Sequence, residues 1–221
     1  MQITIENMIK AIQTASLSES FINTHKSKLT DFTRNRNLGF EEIVHFVIGN
    51  LGTSLDFEVM NFCAKRAQTV SSAAVSKARD KVQYTAFEEL FKLSAKCVPV
   101  TNNYKGYRLT AYDGMKGELP RTEELMRLCN TPEKNGYPEF HAIAEYDVLN
   151  CCYTNAVFSL GTTDERMAAI ELLEKNDYNG REIFLLDRGF PSLKMIQQLE
   201  RSGKNYVVRV SKSFLKHSCN A

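Results

Sequence analysis

No stretch of this sequence approaches the roughly 18 uncharged apolar residues that a membrane-crossing helix needs. The N-terminus, MQITIENMIKAIQTAS, also lacks the charged-then-apolar plan of a secretory signal. Together these absences predict a cytoplasmic protein with no membrane partner. The six cysteines, Cys63, Cys97, Cys129, Cys151, Cys152 and Cys219, show no CxxC spacing and no paired histidines nearby, which argues against zinc. Reduced, mostly buried thiols are expected instead. The four histidines are scattered and read as packing or surface residues. There is no strong charge of either sign: the net charge of +2 does not announce nucleic acid. There is no internal repeat and no low-complexity segment. What remains, 43% hydrophobic and 24% charged residues over 221 positions, suits one large or two small folded domains.

Local charge says more than the total. Between Asn61 and Lys81 lie Lys65, Arg66, Lys77, Arg79 and Lys81 against a single acid, Asp80. This stretch falls in a region, residues 1–98, that reads as helical. GFEEIVHFVIGNLG sets Phe40, Ile43, Val44, Val47 and Ile48 at helical spacing, with Gly49 and Gly52 as stops. SLDFEVMNFCAKR follows, with Ser54 as an N-cap. SSAAVSKARDKVQ begins at Ser71 or Ser72 and carries Ala74, Val75 and Ala78 on one face. Two helices joined by a short break, the second small-faced and basic, fit a helix-turn-helix whose lysines and arginines contact phosphates. On their own they fit an antiparallel helical pair with a solvated basic face better.

From residue 99 the pattern changes. YRLTAYD, EFHAIAEYDV and NCCYTNAVFSLG are strand-like, and GMKGELP after the first reads as a turn leading into an extended edge. TTDERMAAIELLEKN reads as a helix capped by Thr162 or Thr163 with Glu165 completing a capping box. REIFLLDRG is a buried strand, FPSLKMIQQLERSG a helix ending at Gly203, and NYVVRVSKS a last strand. Three strands followed by alternating helices and strands predict a mixed α/β sheet, in the element order of an RNase-H-like core.

Two aspartates stand out in that order. Asp113 closes the first strand in LTAYDGMKGELP, and Asp187 closes the fourth in IFLLDRGFP. Each alone is also ordinary turn chemistry beside glycine. In an RNase-H-like sheet the two strands are neighbours, which would bring the carboxylates together. Paired carboxylates repel unless a cation lies between them. Hard oxygen ligands suit Mg²⁺ or Mn²⁺, and two such ions about 4 Å apart clamp an in-line phosphoryl displacement. Arg188 reads either as a phosphate contact or as a surface ion-pair partner.

At these residues the sequence resembles the DDE transposases of bacterial insertion sequences, in the group typified by insertion sequence four. FTRNRNLGFEEIVHFVIG and SSAAVSKARDKV are similar to the family's N-terminal helical segments. YRLTAYDG…LP resembles its first catalytic block. FLLDRGFPSLKMIQQLERSGKNYVVRV resembles its second. The resemblance implies a helical DNA-binding region (1–98) and an incomplete RNase-H-like catalytic domain (99–221). It implies metal-dependent cutting and strand transfer on double-stranded DNA, both transposon ends and target, with another transposase chain as a partner. It assigns Asp113 and Asp187 as catalytic metal ligands. The family's third carboxylate, in Tyr-x-x-Arg-x-x-x-Glu, has no counterpart. Glu200 lies on the helix before the last strand, the wrong element. The expectation is therefore a transposase portion with two of three acids and an incompletely covered last strand, marginally stable or self-associating. A truncated DNA-binding inhibitor of full-length enzyme, and a helix-turn-helix regulator, are the alternatives.

Overall fold

The computed structural model describes residues 2–34, 37–66, 69–131, 136–161, 164–176, 178–211 and 214. Thr162, Thr163, His217 and Cys219 lie outside them. Two compact units emerge, residues 1–97 and 98–221.

The first unit is all helical: α1 (Gln2–Leu17), α2 (Glu19–His25), α3 (Phe40–Ile48), α4 (Leu55–Arg66), α5 (Ser72–Arg79) and α6 (Thr85–Lys96). Two apolar clusters hold it together. Ile43 and Phe46 of α3, Val59 and Phe62 of α4, and Val75 and Ala78 of α5 form one. Phe21, Phe40, Val44, Ala86 and Leu90 form the other, with Ile12 and Ala15 of α1 packed against it. Phe46, which the periodicity passed over, is buried, while Ile48 is half exposed. Ile48 is the last residue of α3 and Gly49 is its C-cap. Ser71 caps α5 by accepting from the Ala74 amide. Glu58, on α4, reaches back to the preceding loop and accepts from the Leu51 and Thr53 amides and the Thr53 hydroxyl. These bonds, the Thr53 hydroxyl first, hold its carboxyl below the usual carboxylate range.

The second unit is a mixed α/β fold: β1 (Arg108–Glu118), α7 (Glu123–Leu128), β2 (Glu139–Asp147), β3 (Cys152–Leu160), α8 (Glu165–Lys175), β4 (Glu182–Leu186), α9 (Leu193–Ser202) and β5 (Asn205–Val208). The strands lie in the order β3-β2-β1-β4-β5. β2 is antiparallel to β1 and β3, while β1, β4 and β5 run parallel. This order and these directions are those expected of an RNase-H-like core. One face of the sheet, with Tyr112, Ile143, Phe184 and Leu186, is sealed by Ala169, Leu172 and Leu173 of α8 and Met195 and Leu199 of α9. The opposite face carries Leu109, Ala111, Ile183 and Leu185, all only half-buried.

Several sequence expectations need correction. GMKGELP is not a turn: residues 114–118 continue β1, because β2 supplies a full antiparallel partner as far as Glu118↔Glu139. The short helix α7 then interrupts what read as a strand meander. Asp164 is the N-cap of α8, its side chain accepting from the Arg166 amide. Of the described cysteines, all free thiols, Cys129 alone is buried.

Candidate active site

The β1–β4 ladder has five registered pairs, from Arg108↔Glu182 to Tyr112↔Leu186. Asp113 and Asp187 are the next residue on each strand. Asp113 is therefore within β1 rather than at its end, but it stands where β1 parts from β4 and continues against β2 alone. Beyond Leu186 the chain turns, the Phe190 amide donating to the Asp187 carbonyl at 3.1 Å. Side chains alternate along a strand. Since Tyr112 and Leu186 point into the covered core, Asp113 and Asp187 project from the opposite face, and both are exposed. Adjacent paired strands lie about 4.8 Å apart, and the last such pair, Tyr112↔Leu186, immediately precedes the two aspartates.

Little neutralises them. Asp113 Oδ1 accepts from the Gly114 amide at 2.9 Å. Asp187 Oδ1 faces Arg209 Nη1 at 3.6 Å across solvent, a contact of small energetic weight. The arginine at Asp187 is thus Arg209. Arg188 is exposed and makes no ion pair among the described residues. Arg209 went unnoticed in the sequence because only the parallel β4–β5 pairing brings it alongside. No group of three or more His, Cys, Asp or Glu is gathered among the described residues. Glu200 points away, hydrogen-bonded to the Tyr206 hydroxyl, which raises the pKa of that phenol. The donor set is thus two exposed carboxylates of hard oxygen. That suits a hydrated Mg²⁺ or Mn²⁺, which keeps several waters and takes one or two protein carboxylates.

The five bases of 61–81 are not one cluster. Lys77 and Lys81 line a cleft of about 890 Å³ together with Arg34, Asn37 and Ala74. Lys81 is also 3.8 Å from Asp31. Lys65 and Arg66 line a separate, smaller pocket at the end of α4. There the Arg66 guanidinium lies 4.3 Å over the Phe62 ring and 3.3 Å from His45 Nδ1. Arg79, on α5, is exposed and lines neither. Arg34 is the base that sequence proximity could not reveal, since the fold alone carries its loop to α5.

Comparison with curated protein sequences finds no match. Among solved structures, the chain is similar to one described as a cryo-EM structure of the piggyBac transposase synaptic complex with hairpin DNA, at 10% identity and a TM-score of 0.46. That likeness covers 91% of this chain and 50% of the other, so this chain spans half the length of that one. Residues 104–218 match the family described as the transposase DDE domain. The match takes in all five strands and both aspartates and covers just over half of the 221 residues; the chain belongs to the transposase DDE domain family.

Proposed function

We propose that the chain is a DNA transposase of the bacterial insertion-sequence-four type, working in the cytoplasm on nucleoid DNA. In this reading Asp113 and Asp187 are the two aspartates of the catalytic set and hold Mg²⁺ or Mn²⁺. The observation that carries it is their shared position, one residue beyond the last β1–β4 pair, in a chain of the transposase DDE domain family. A bound divalent ion supplies Lewis-acid stabilisation of the charge that develops on a phosphodiester during in-line displacement. The protein's own part is to level the two carboxylates at the surface and present them to a phosphate. Residues 1–97 would then bind DNA. Lys77, Lys81 and Arg34 of the 890 Å³ cleft, with Lys65, Arg66 and Arg79, provide sequence-independent phosphate contacts. Arg188, in the turn after β4, adds a further one. Residues 1–221 supply two acids of a three-acid set, so this segment alone is expected to bind DNA but not to transfer strands.

The test is metal-dependent nicking of labelled transposon-end DNA by the chain joined to a helix carrying the third carboxylate. Nicking that disappears in both Asp113→Ala and Asp187→Ala supports the assignment. Nicking that survives either substitution refutes it.

A further inference from the structure

The five residues that separate each aspartate from the start of the β1–β4 ladder point to a second pair. Arg108 and Glu182 are the first registered partners, and Asp113 and Asp187 lie equally far along their strands. We propose that the buried Arg108–Glu182 pair is a positioning device that fixes the register of β1 against β4 and so keeps the two aspartates level. The proposal rests on the reading of those aspartates as metal ligands.

β4 needs such a device. It is a five-residue strand whose last four positions, Ile183, Phe184, Leu185 and Leu186, are all apolar. A slip of one residue would exchange its faces. A slip of two would keep apolar side chains on each face, yet carry Asp187 about 6.6 Å along the strand axis. Apolar packing opposes that second error weakly. Arg108 and Glu182 oppose it strongly, because either slip separates two charged groups that are both at least nine-tenths buried, and a buried charge without its partner is strongly unfavourable.

The geometry is that of a clamp. Arg108 Nε donates to Glu182 Oε1 at 2.8 Å and Nη2 donates to the same oxygen. The Thr110 hydroxyl donates to it as well. The guanidinium lies 3.8 Å over the Tyr178 ring, with Nη2 3.4 Å from Glu145 Oε1. On the other side, Lys204 Nζ, just before β5, is 3.7 Å from Glu182 Oε2, an oxygen with no hydrogen-bond partner among the described residues. Glu182 thus ties the start of β4 to both of its neighbours. All of this lies on the covered face, away from the aspartates, so neither Arg108 nor Glu182 touches substrate.

The experiment uses the full chain and two variants. Arg108→Met with Glu182→Leu replaces the clamp by apolar groups of similar size, a change that commonly leaves stability intact. Glu182→Gln keeps the shape and removes the charge. Thermal melting, Mn²⁺ affinity by electron paramagnetic resonance and amide hydrogen exchange are measured on each. The expected result for both is Mn²⁺ binding weakened about tenfold or more, with protection lost in residues 183–186 but kept in β2 and β3. The double variant melts near wild type, whereas Glu182→Gln, which leaves Arg108 buried without a charged partner, melts lower. A merely structural pair predicts Mn²⁺ affinity that follows stability. Variants that melt, bind Mn²⁺ and protect β4 as wild type does would overturn the proposal. If the double variant does not fold, unchanged affinity in folded Glu182→Gln overturns it equally. Wild type that binds Mn²⁺ no better than Asp113→Asn/Asp187→Asn removes the metal reading, and exchange in β4 then decides the register claim by itself.

Discussion

An exposed carboxylate owes its position to the backbone beneath it rather than to its neighbours, and Asp113 and Asp187 are of this kind. Their nearest polar contacts are the Gly114 amide and a solvent-exposed Arg209. Replacing either by asparagine should therefore leave folding unchanged, since surface changes away from caps and buried networks cost little. The same change removes a direct ligand. Mn²⁺ affinity should fall by more than the ~10–100-fold that outer-shell partners cost, as read by titration calorimetry, while the melting temperature stays put. Glu58 is the opposite case: a carboxylate with no proposed chemistry and a clear structural task. Its pKa is lowered by the bonds from Thr53 and Leu51. A group with a depressed folded pKa contributes stability above its ordinary pKa and loses it as pH falls through the folded value. Glu58→Gln should thus weaken the acid dependence of the helical unit's unfolding. Identical urea midpoints for wild type and variant from neutral pH into the acid range would contradict this.

At the level of single elements, the sheet's buried polar network makes a second pH prediction of opposite sign. Glu145, on β2, has its pKa raised, first by burial, although Thr154 and Asn176 donate to it. A raised folded pKa gives stability that is present at low pH and lost as pH rises through that value. Glu145→Gln keeps the shape and cannot ionise, so the second unit's unfolding should lose that decline with rising pH, a difference that chemical denaturation across the acid-to-neutral range would reveal. At the end of α9, Gly203 holds φ at +64° with open space where a Cβ would stand. Gly203→Ala should accordingly cost about 1 kcal/mol through the backbone alone, lowering the thermal midpoint without altering the spectrum of the native state. These elements also mark where sequence reading succeeds. The strand positions were legible because apolar and alternating runs rich in β-formers mark them, and the mixed sheet followed from the order of strands and helices. The true end of β1 was not. Gly114 and Gly117 imitate a turn, and only pairing with β2 makes them strand. The Arg108–Glu182 clamp was equally hidden, because two charged residues far apart in sequence look like surface until the fold buries them together. Arg34 and Arg209 escaped for the same reason.

For the whole molecule the unresolved balance lies in the sheet itself. Its strands are apolar on both faces, and α8 and α9 cover one. On the other, Met115, Tyr153, Phe158 and Val207 are each more than half exposed. The expectation from sequence placed the liability on the last strand. β5 is only four residues long, which itself blunts an edge. The other edge, β3, is nine residues, CYTNAVFSL, with no charge and no proline. Long, uncharged, apolar edges recruit further strands. The chain should therefore self-associate with rising concentration, seen as an increasing sedimentation coefficient. Lysine at the two exposed aromatics of that edge, Tyr153→Lys with Phe158→Lys, should hold it monomeric, because a charge on an edge strand opposes the approach of a second one. Lysine in place of Val207 should do less, since β5 offers only four residues to pair. A wild-type sample whose sedimentation does not change with concentration would rule out the edge as a driver. Association that persists in the double-lysine variant would move the cause to the open face around Met115.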